Sequence, residues 1–193
     1  MARISNGLYE IRWHGRGGQG AVTGAQILAE AAFLEGLWCQ AFPYFGAERR
    51  GAPVTAYTRI SKKPILVHSA IYSPDLVIVL DPSIMSIVDV TKGLKENGTL
   101  LVNSREIPKI ERDDIRVFIV DATSISLELD LLVAGIPVVN TPMTGAAAKV
   151  LPLVGLESVL EAVHNKFIDS LGPEKTKLNV EAAKRAYDRV REV

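Results

Sequence analysis

Three features of this 193-residue sequence predict an α/β fold: a mostly parallel, three-layer sheet with helices on both faces and an antiparallel insertion. An alternating strand runs through a glycine-rich turn into a small-residue helix over Tyr9–Gly36. The apolar run Asp75–Leu80, bounded by Pro74 and Asp81-Pro82, has the signature of a central strand buried on both faces. Strands then alternate with helical patterns along the chain, the arrangement that makes a parallel sheet covered on both sides.

In the opening unit, Gly15, Gly17 and Gly20 fit G-x-G-x-x-G between a strand and a helix, the context in which that spacing has meaning. Glycine lets the backbone turn sharply and approach a ligand closely. The helix that follows offers unpaired N–H groups and the positive end of its dipole to an anion. The turn is therefore read as a phosphate or carboxylate cradle, beside the plainer reading of a tight βα turn that needs glycine only for its geometry. A nicotinamide dinucleotide would call for an acid at the end of the next strand to hold the ribose. That strand, Leu37–Phe42, carries none, and Arg16 adds a positive charge to the turn, so a phosphate-rich ligand suits it better.

Pro43–Pro53 holds two prolines and two glycines and reads as a loop. Phe42, Tyr44 and Phe45 stand beside Glu48-Arg49-Arg50, and aromatics with arginine are what interfaces and ligand sites use. Alternatively, Phe42 and Phe45 tuck under the loop while Glu48 and Arg49 pair in solvent. Val54–Ser61 alternates as a strand that follows too soon for a helical crossover, so it is expected to be antiparallel or an edge. A turn at Lys62-Lys63-Pro64 leads to a short returning strand, Ile65–Val67. Ser83–Glu96 reads as a helix stopped by Asn97-Gly98, Thr99–Asn103 and Arg116–Asp121 as strands. Asp121 or Thr123 caps a helix over Ile125–Ala134 that Gly135 closes. After Ile136–Asn140, Thr141–Ala148 starts a second helix from a strand end, with Pro142 in its first turn and small residues that allow close packing. Leu156–Ile168 and Leu178–Val190 are amphipathic helices.

At 48% hydrophobic the chain can bury one good core, expected as a single domain over residues 1–193. Lys plus Arg and Asp plus Glu number 22 each, so bulk charge points to neither nucleic acid nor a membrane surface. There is no apolar run of membrane-spanning length and no signal-like N-terminal segment, and the expected compartment is the cytoplasm. The single Cys39 can form no internal disulfide and cannot alone hold an iron–sulfur cluster; in its apolar strand it reads as a small hydrophobe. His14, His68 and His164 lack metal-ligand spacing. His14 abuts the turn and could reach a ligand, but capping the strand end is the simpler role. Asp81 is either a site acid or a helix cap. No nucleophile elbow, zinc motif or Walker lysine occurs. The chain reads as one that binds and positions, with reactive groups elsewhere.

With HGRGGQGAVTGAQILAEAA, FPYFGAERRG, DLVIVLDP and NTPMTGAAAKV in this order, the sequence resembles the gamma subunits of 2-oxoacid:ferredoxin oxidoreductases, the pyruvate:ferredoxin enzymes among them, over nearly its whole length. The family's Glu-x-Arg-Gly-Gly reads Glu48-Arg49-Arg50-Gly51-Ala52 here, with alanine in the last place. The resemblance implies a mixed complex that decarboxylates a 2-oxoacid on thiamine diphosphate, passes electrons through iron–sulfur clusters to ferredoxin and gives the acyl group to coenzyme A. It implies that thiamine diphosphate, Mg and the clusters belong to alpha, beta and delta-type partner chains, with ferredoxin met only indirectly. It also makes coenzyme A a plausible ligand of the assembled site, at Arg16, Gly17, Gly18, Gln19, Gly20, Glu48, Arg49, Arg50 and Asn140. The alternatives are a free-standing nucleotide-dependent oxidoreductase and a purely structural scaffold subunit.

Overall fold

Strand β1 (Leu8–Arg16) stands near the middle of a seven-stranded sheet in a computed structural model that describes residues 7–44 and 51–193. Its alternation sorts side chains between the two faces. Tyr9, Ile11 and Trp13 point into the larger core, while Glu10, Arg12 and His14 occupy the other positions. Helix α1 (Ala21–Leu34) lies on the first face. Gly24 lets it approach so closely that an added Cβ would stand 3.0 Å from the Trp13 ring. The indole N–H of Trp13 donates to Thr58 Oγ1 (3.1 Å), whose hydroxyl donates to the Ala25 carbonyl (3.1 Å), so one polar chain pins two strands to the helix.

From α1 the chain passes to β2 (Trp38–Pro43), the sheet's outer strand, and returns along β3 (Pro53–Ser61). β3 pairs antiparallel with both β2 and β1, so of the two expectations for it the antiparallel one holds; the edge is β2. β4 (Leu76–Val79), β5 (Thr99–Asn103) and β6 (Arg116–Val120) then extend parallel from the other side of β1. The order is completed by a two-residue antiparallel strand at the end of the chain, Arg191–Glu192, beside β6.

The α/β class is as expected, while several element boundaries differ. The layer on the second face of β4–β6 is a 3-10 turn, Pro82–Ser86, and a chain of further turns, where a helix over Ser83–Glu96 was expected. Ile84, Val90 and Leu94 from this layer cover Val77, Val79, Leu100, Val102 and Ile119. β-Branched residues crowd Ile87–Thr91, Asp89 turns its carboxylate onto the Thr91 N–H, and Gly93 is left-handed (φ 76°) beneath the Tyr72 carbonyl, all of which oppose a helix. Residues 65–67 form no strand: the carbonyls of Ile65, Val67 and Ser69 take hydrogen bonds from the side chains of Gln40 and Arg59 in place of a ladder. Arg59 is buried, salt-bridged to Glu10 (2.9 Å) and stacked over Phe42.

Helix α2 (Ala122–Glu128) is capped by Asp121, which accepts from the Ser124 N–H (2.9 Å), but stops short of the expected Ala134. The chain turns through left-handed Asp130 into a hairpin of β7 (Leu132–Val133) and β8 (Ile136–Pro137). Helix α3 (Asn140–Val150) is buried from Asn140 to Ala148. The two expected C-terminal helices run on as α4 (Leu156–Arg189), broken at left-handed Gly172 just before Pro173. The small-residue run of α3 does bring it close to α4: a Cβ on Gly145 would overlap the backbone of Ala183.

Candidate functional site

The chain leaves β1 towards β2 on one side, and its parallel strands grow from β4 on the other. The carboxyl ends of β1 and β4 therefore flank a topological switch point, where open α/β sheets bind ligands. A cleft of about 240 Å³ lies there. Its floor and walls come from Gln19 of the glycine turn, Leu80, Asp81 and Pro82 after β4, and Asn103 at the end of β5. Thr123 of α2 and the inner edge of the hairpin, Ile136 and Pro137, close the remaining side.

The turn is rigid and internally bonded. Gly18 (φ 94°) and Gly20 (φ 78°) are its left-handed positions. Gln19 Oε1 accepts from the Arg16 N–H (2.7 Å), and its Nε2 donates to Asp81 Oδ2 (2.9 Å). Asp81 also caps the 3-10 turn through the Ser83 N–H (2.9 Å) and takes the Ser83 hydroxyl (2.6 Å). Burial pushes the Asp81 carboxyl up, but the hydrogen bonds from Ser83 and Gln19 and the charge of Arg16 outweigh it, leaving it below its ordinary value. Asp81 thus acts as a cap and as an anchor for the turn.

Arg16, expected to put a positive charge in the turn, is held by Asp81 Oδ2 (3.1 Å), Ser83 Oγ (2.8 Å) and the Gly51 carbonyl (3.0 Å). Three of its five N–H groups are engaged, and two remain without a partner among the described residues. The Gly17 N–H is taken by the Ala52 carbonyl (2.9 Å), so Ala52, where the family has glycine, still supplies a backbone contact to the turn. The opening of α1 is different. Gly20 is its N-cap and gives no side-chain cap, and no acidic residue sits in the first turn. The first N–H groups and positive dipole end of the 14-residue helix therefore have no side-chain cap from Gly20 and no acid of the first turn beside them.

Asn140, at the start of α3, meets this opening. Its Oδ1 accepts from the Thr141 N–H (2.9 Å), and its Nδ2 lies 2.5 Å from where a Gly20 Cβ would be. The fold thus brings together Arg16, Gly17, Gly18, Gln19, Gly20 and Asn140. Glu48, Arg49 and Arg50 lie outside the described residues; Gly51, which follows them, is bonded to both Arg16 and Gly17.

Sequence reasoning missed Asn103 and Thr123. Asn103 Nδ2 donates to the Leu80 carbonyl (2.9 Å) and to Thr123 Oγ1 (3.0 Å), tying β4, β5 and α2 together at the cleft. A polar residue ending an otherwise apolar strand was the available signal. His14 does not line the cleft: buried, its Nε2 accepts from Arg12 Nε (3.0 Å). Burial, with the Arg12 charge adding to it, pushes its pKa down to about 4, so the ring is neutral. His68 and His164 are exposed. Cys39 is half-buried against the core and burial pushes its thiol up. A second cleft of about 360 Å³ at the ends of β5 and β6 holds Arg105 and Arg189, but each already faces a carboxylate, Asp121 (2.6 Å) and Glu128 (2.9 Å). Among the described residues no three His, Cys, Asp or Glu side chains are grouped to hold a metal, and no helix is long and apolar enough to cross a membrane.

Residues 10–189 match the family described as pyruvate ferredoxin/flavodoxin oxidoreductase. The chain belongs to the pyruvate ferredoxin/flavodoxin oxidoreductase family. Within this family it is 51% identical over 187 residues to the pyruvate/ketoisovalerate oxidoreductases common subunit gamma of Thermococcus litoralis, covering 94% of this chain and 97% of that one. The crystal structure of pyruvate oxidoreductase subunit PORC from Thermotoga maritima superposes with a TM-score of 0.80 at 37% identity, covering 96% of this chain and 98% of that one. The same fold recurs, at 17% identity and a TM-score of 0.75, within a longer chain of the 2-oxoglutarate:ferredoxin oxidoreductase from Magnetococcus marinus. This chain covers 32% of that one and 95% of itself. The resemblance to gamma subunits is borne out, and with it the place of this chain as a subunit of an oxidoreductase of the pyruvate ferredoxin/flavodoxin type.

Proposed function

We infer that this chain, with partner chains, converts pyruvate, coenzyme A and oxidised ferredoxin to acetyl-CoA, CO2 and reduced ferredoxin, and that its own part is to form the coenzyme A side of the assembled site. The observation that carries this reading is the uncapped N-terminus of α1 after the glycine turn whose Gln19 lines the switch-point cleft, with Gly20 packed against Asn140 and two N–H groups of Arg16 without a partner among the described residues. A phosphate-bearing ligand is what such a terminus receives. Thiamine diphosphate and the clusters would supply the decarboxylation and electron transfer when bound to the partner chains. A single half-buried thiol does not fit a cluster, so no such step is assigned to this chain.

Alone, the site is weak. A helix N-terminus contributes about 0.3–1 kcal/mol to an exposed anion. Arg16, already shared with Asp81, adds one charge-assisted hydrogen bond worth roughly 1.5–3 kcal/mol. Ordering a flexible ligand offsets part of that. The balance corresponds to dissociation constants of about a millimolar or weaker, and tight binding needs partner chains that exclude water.

Gly20→Ala tests the reading in the assembled enzyme. Alanine at φ 78° is strained, and its Cβ drives Asn140 off the helix opening. The KM for coenzyme A should rise at least about tenfold, a loss of roughly 1.4 kcal/mol, with the KM for pyruvate unchanged. An unchanged KM for coenzyme A in a correctly assembled variant would end the proposal.

A further inference from the structure

The hairpin β7–β8 has no polar face. Leu131–Val139 reads LLVAGIPVV, nine residues without a polar side chain. In the ladder Leu132 stands opposite Pro137 on one face and Val133 opposite Ile136 on the other. A hairpin resting on a core alternates apolar with polar residues, whereas this one is apolar on both faces. Yet Leu132 is 40% exposed, Val133 67% and Ile136 49%, with Leu127 at the end of α2 53% exposed beside them. Exposed large apolar residues also occur at Phe33, Leu34 and Trp38 and at Leu66, Val67 and Tyr72, but none of those lines the cleft, whereas Ile136 of the hairpin does.

The protrusion is held firmly at its base. Leu131 and Val139 are buried, the Val138 N–H donates to the Leu131 carbonyl (2.9 Å), and Ser126 Oγ donates to the Val138 carbonyl (2.6 Å). A preformed apolar knob loses little conformational freedom when it is covered. Its inner edge, Ile136 and Pro137, is also a wall of the cleft, so a body seated on the hairpin must also cover the mouth of the cleft. A second copy of this chain would bring no metal-holding cluster of His, Cys, Asp or Glu among its described residues to that mouth. A chain that carries the reactive groups would bring them there.

We propose that the β7–β8 hairpin plugs into an apolar pocket on the partner chain that completes the cleft, so that docking and site closure are one event. The proposal rests on the reading of the cleft as the coenzyme A side of the assembled site. In cells producing all chains of the complex, Val133→Glu should reduce the share of this chain recovered in the assembly at least about tenfold, while the isolated chain melts as the unaltered one does. Leu66→Glu, at a still more exposed apolar residue on the segment between β3 and β4, should assemble normally. A photo-crosslinking residue at position 133 should capture a partner chain. Normal assembly of the Val133→Glu chain, or crosslinks only to a second copy of this chain or to nothing, overturns the proposal. Those results leave the coenzyme A reading standing, since that reading is sunk separately by an assembled Gly20→Ala enzyme with an unchanged KM for coenzyme A.

Discussion

His14 is a buried imidazole whose partner is an arginine, and that pairing sets a pH dependence. Its folded pKa of about 4 lies below the ordinary 6.5 because burial, then the Arg12 charge, oppose protonation. Between these values the unfolded chain binds a proton that the folded chain does not. Its contribution is therefore complete above pH 6.5 and is lost as pH falls towards 4, by about 3 kcal/mol in all. His14→Gln keeps an acceptor for Arg12 Nε without a titrating group. Urea unfolding at pH 7 and pH 4.5 should show the unaltered chain losing roughly 2–3 kcal/mol more than the variant across that interval. Equal losses would show that His14 already protonates in the folded chain. The ring's character was not legible from its place in the sequence: His14 next to the glycine turn could as well have faced the ligand. Its burial and its Arg12 partner follow from which face of β1 it occupies once β3 and β4 are seated beside it.

Helix α3 offers the clearest case at the scale of an element. Gly145 sits mid-helix, where alanine would normally gain up to about 1 kcal/mol in propensity. Its Cβ would overlap the Ala183 backbone of α4, which has no rotamer with which to yield. Overpacking of this kind costs about 1–3 kcal/mol or more, so it wins. Gly145→Ala should lower the melting temperature by several degrees, at about 2–4 °C per kcal/mol for a chain of this size. A raised melting temperature would mean that the two helices are further apart than described. The small-residue run pointed to close packing from the sequence alone, but to an unspecified neighbour. That neighbour comes from a part of the chain nearly forty residues on, which periodicity cannot report.

As a whole molecule, the chain is, on the function proposed above, a binding body whose chemistry partner chains complete. Its titratable groups near the cleft are committed to structure: Asp81 to the turn and Arg16, Arg16 to three partners, and Asp121 to capping α2. The isolated chain should therefore show no pyruvate-dependent reduction of ferredoxin. Calorimetry should give it a dissociation constant for coenzyme A of about a millimolar or weaker, against much tighter binding by the assembly. Submicromolar binding by the chain alone would mean a finished site, and turnover of pyruvate by it would overturn the reading of a non-catalytic subunit.

The sequence by itself determined the α/β class, most of the strands and the glycine turn at the end of the first of them. Alternation and buried apolar runs are local records of burial, and positions such as Gly18 and Gly20 are written by a backbone that no other residue adopts cheaply. It also pointed to Asn140 beside the turn's residues as candidates, through the resemblance to a family. Only the tertiary structure decided that β3 lies inside the sheet, that residues 83–96 pack as turns, and that residues 132–137 leave the helix for a hairpin. It alone gathered Gln19, Asp81, Asn103 and Thr123 around one cleft. Such choices rest on hydrogen bonds and contacts between segments tens of residues apart, like Gln19 with Asp81 and Asn103 with Thr123. Neither propensity nor periodicity carries information over that distance, because each is set by the residues within a turn or two of the position it describes.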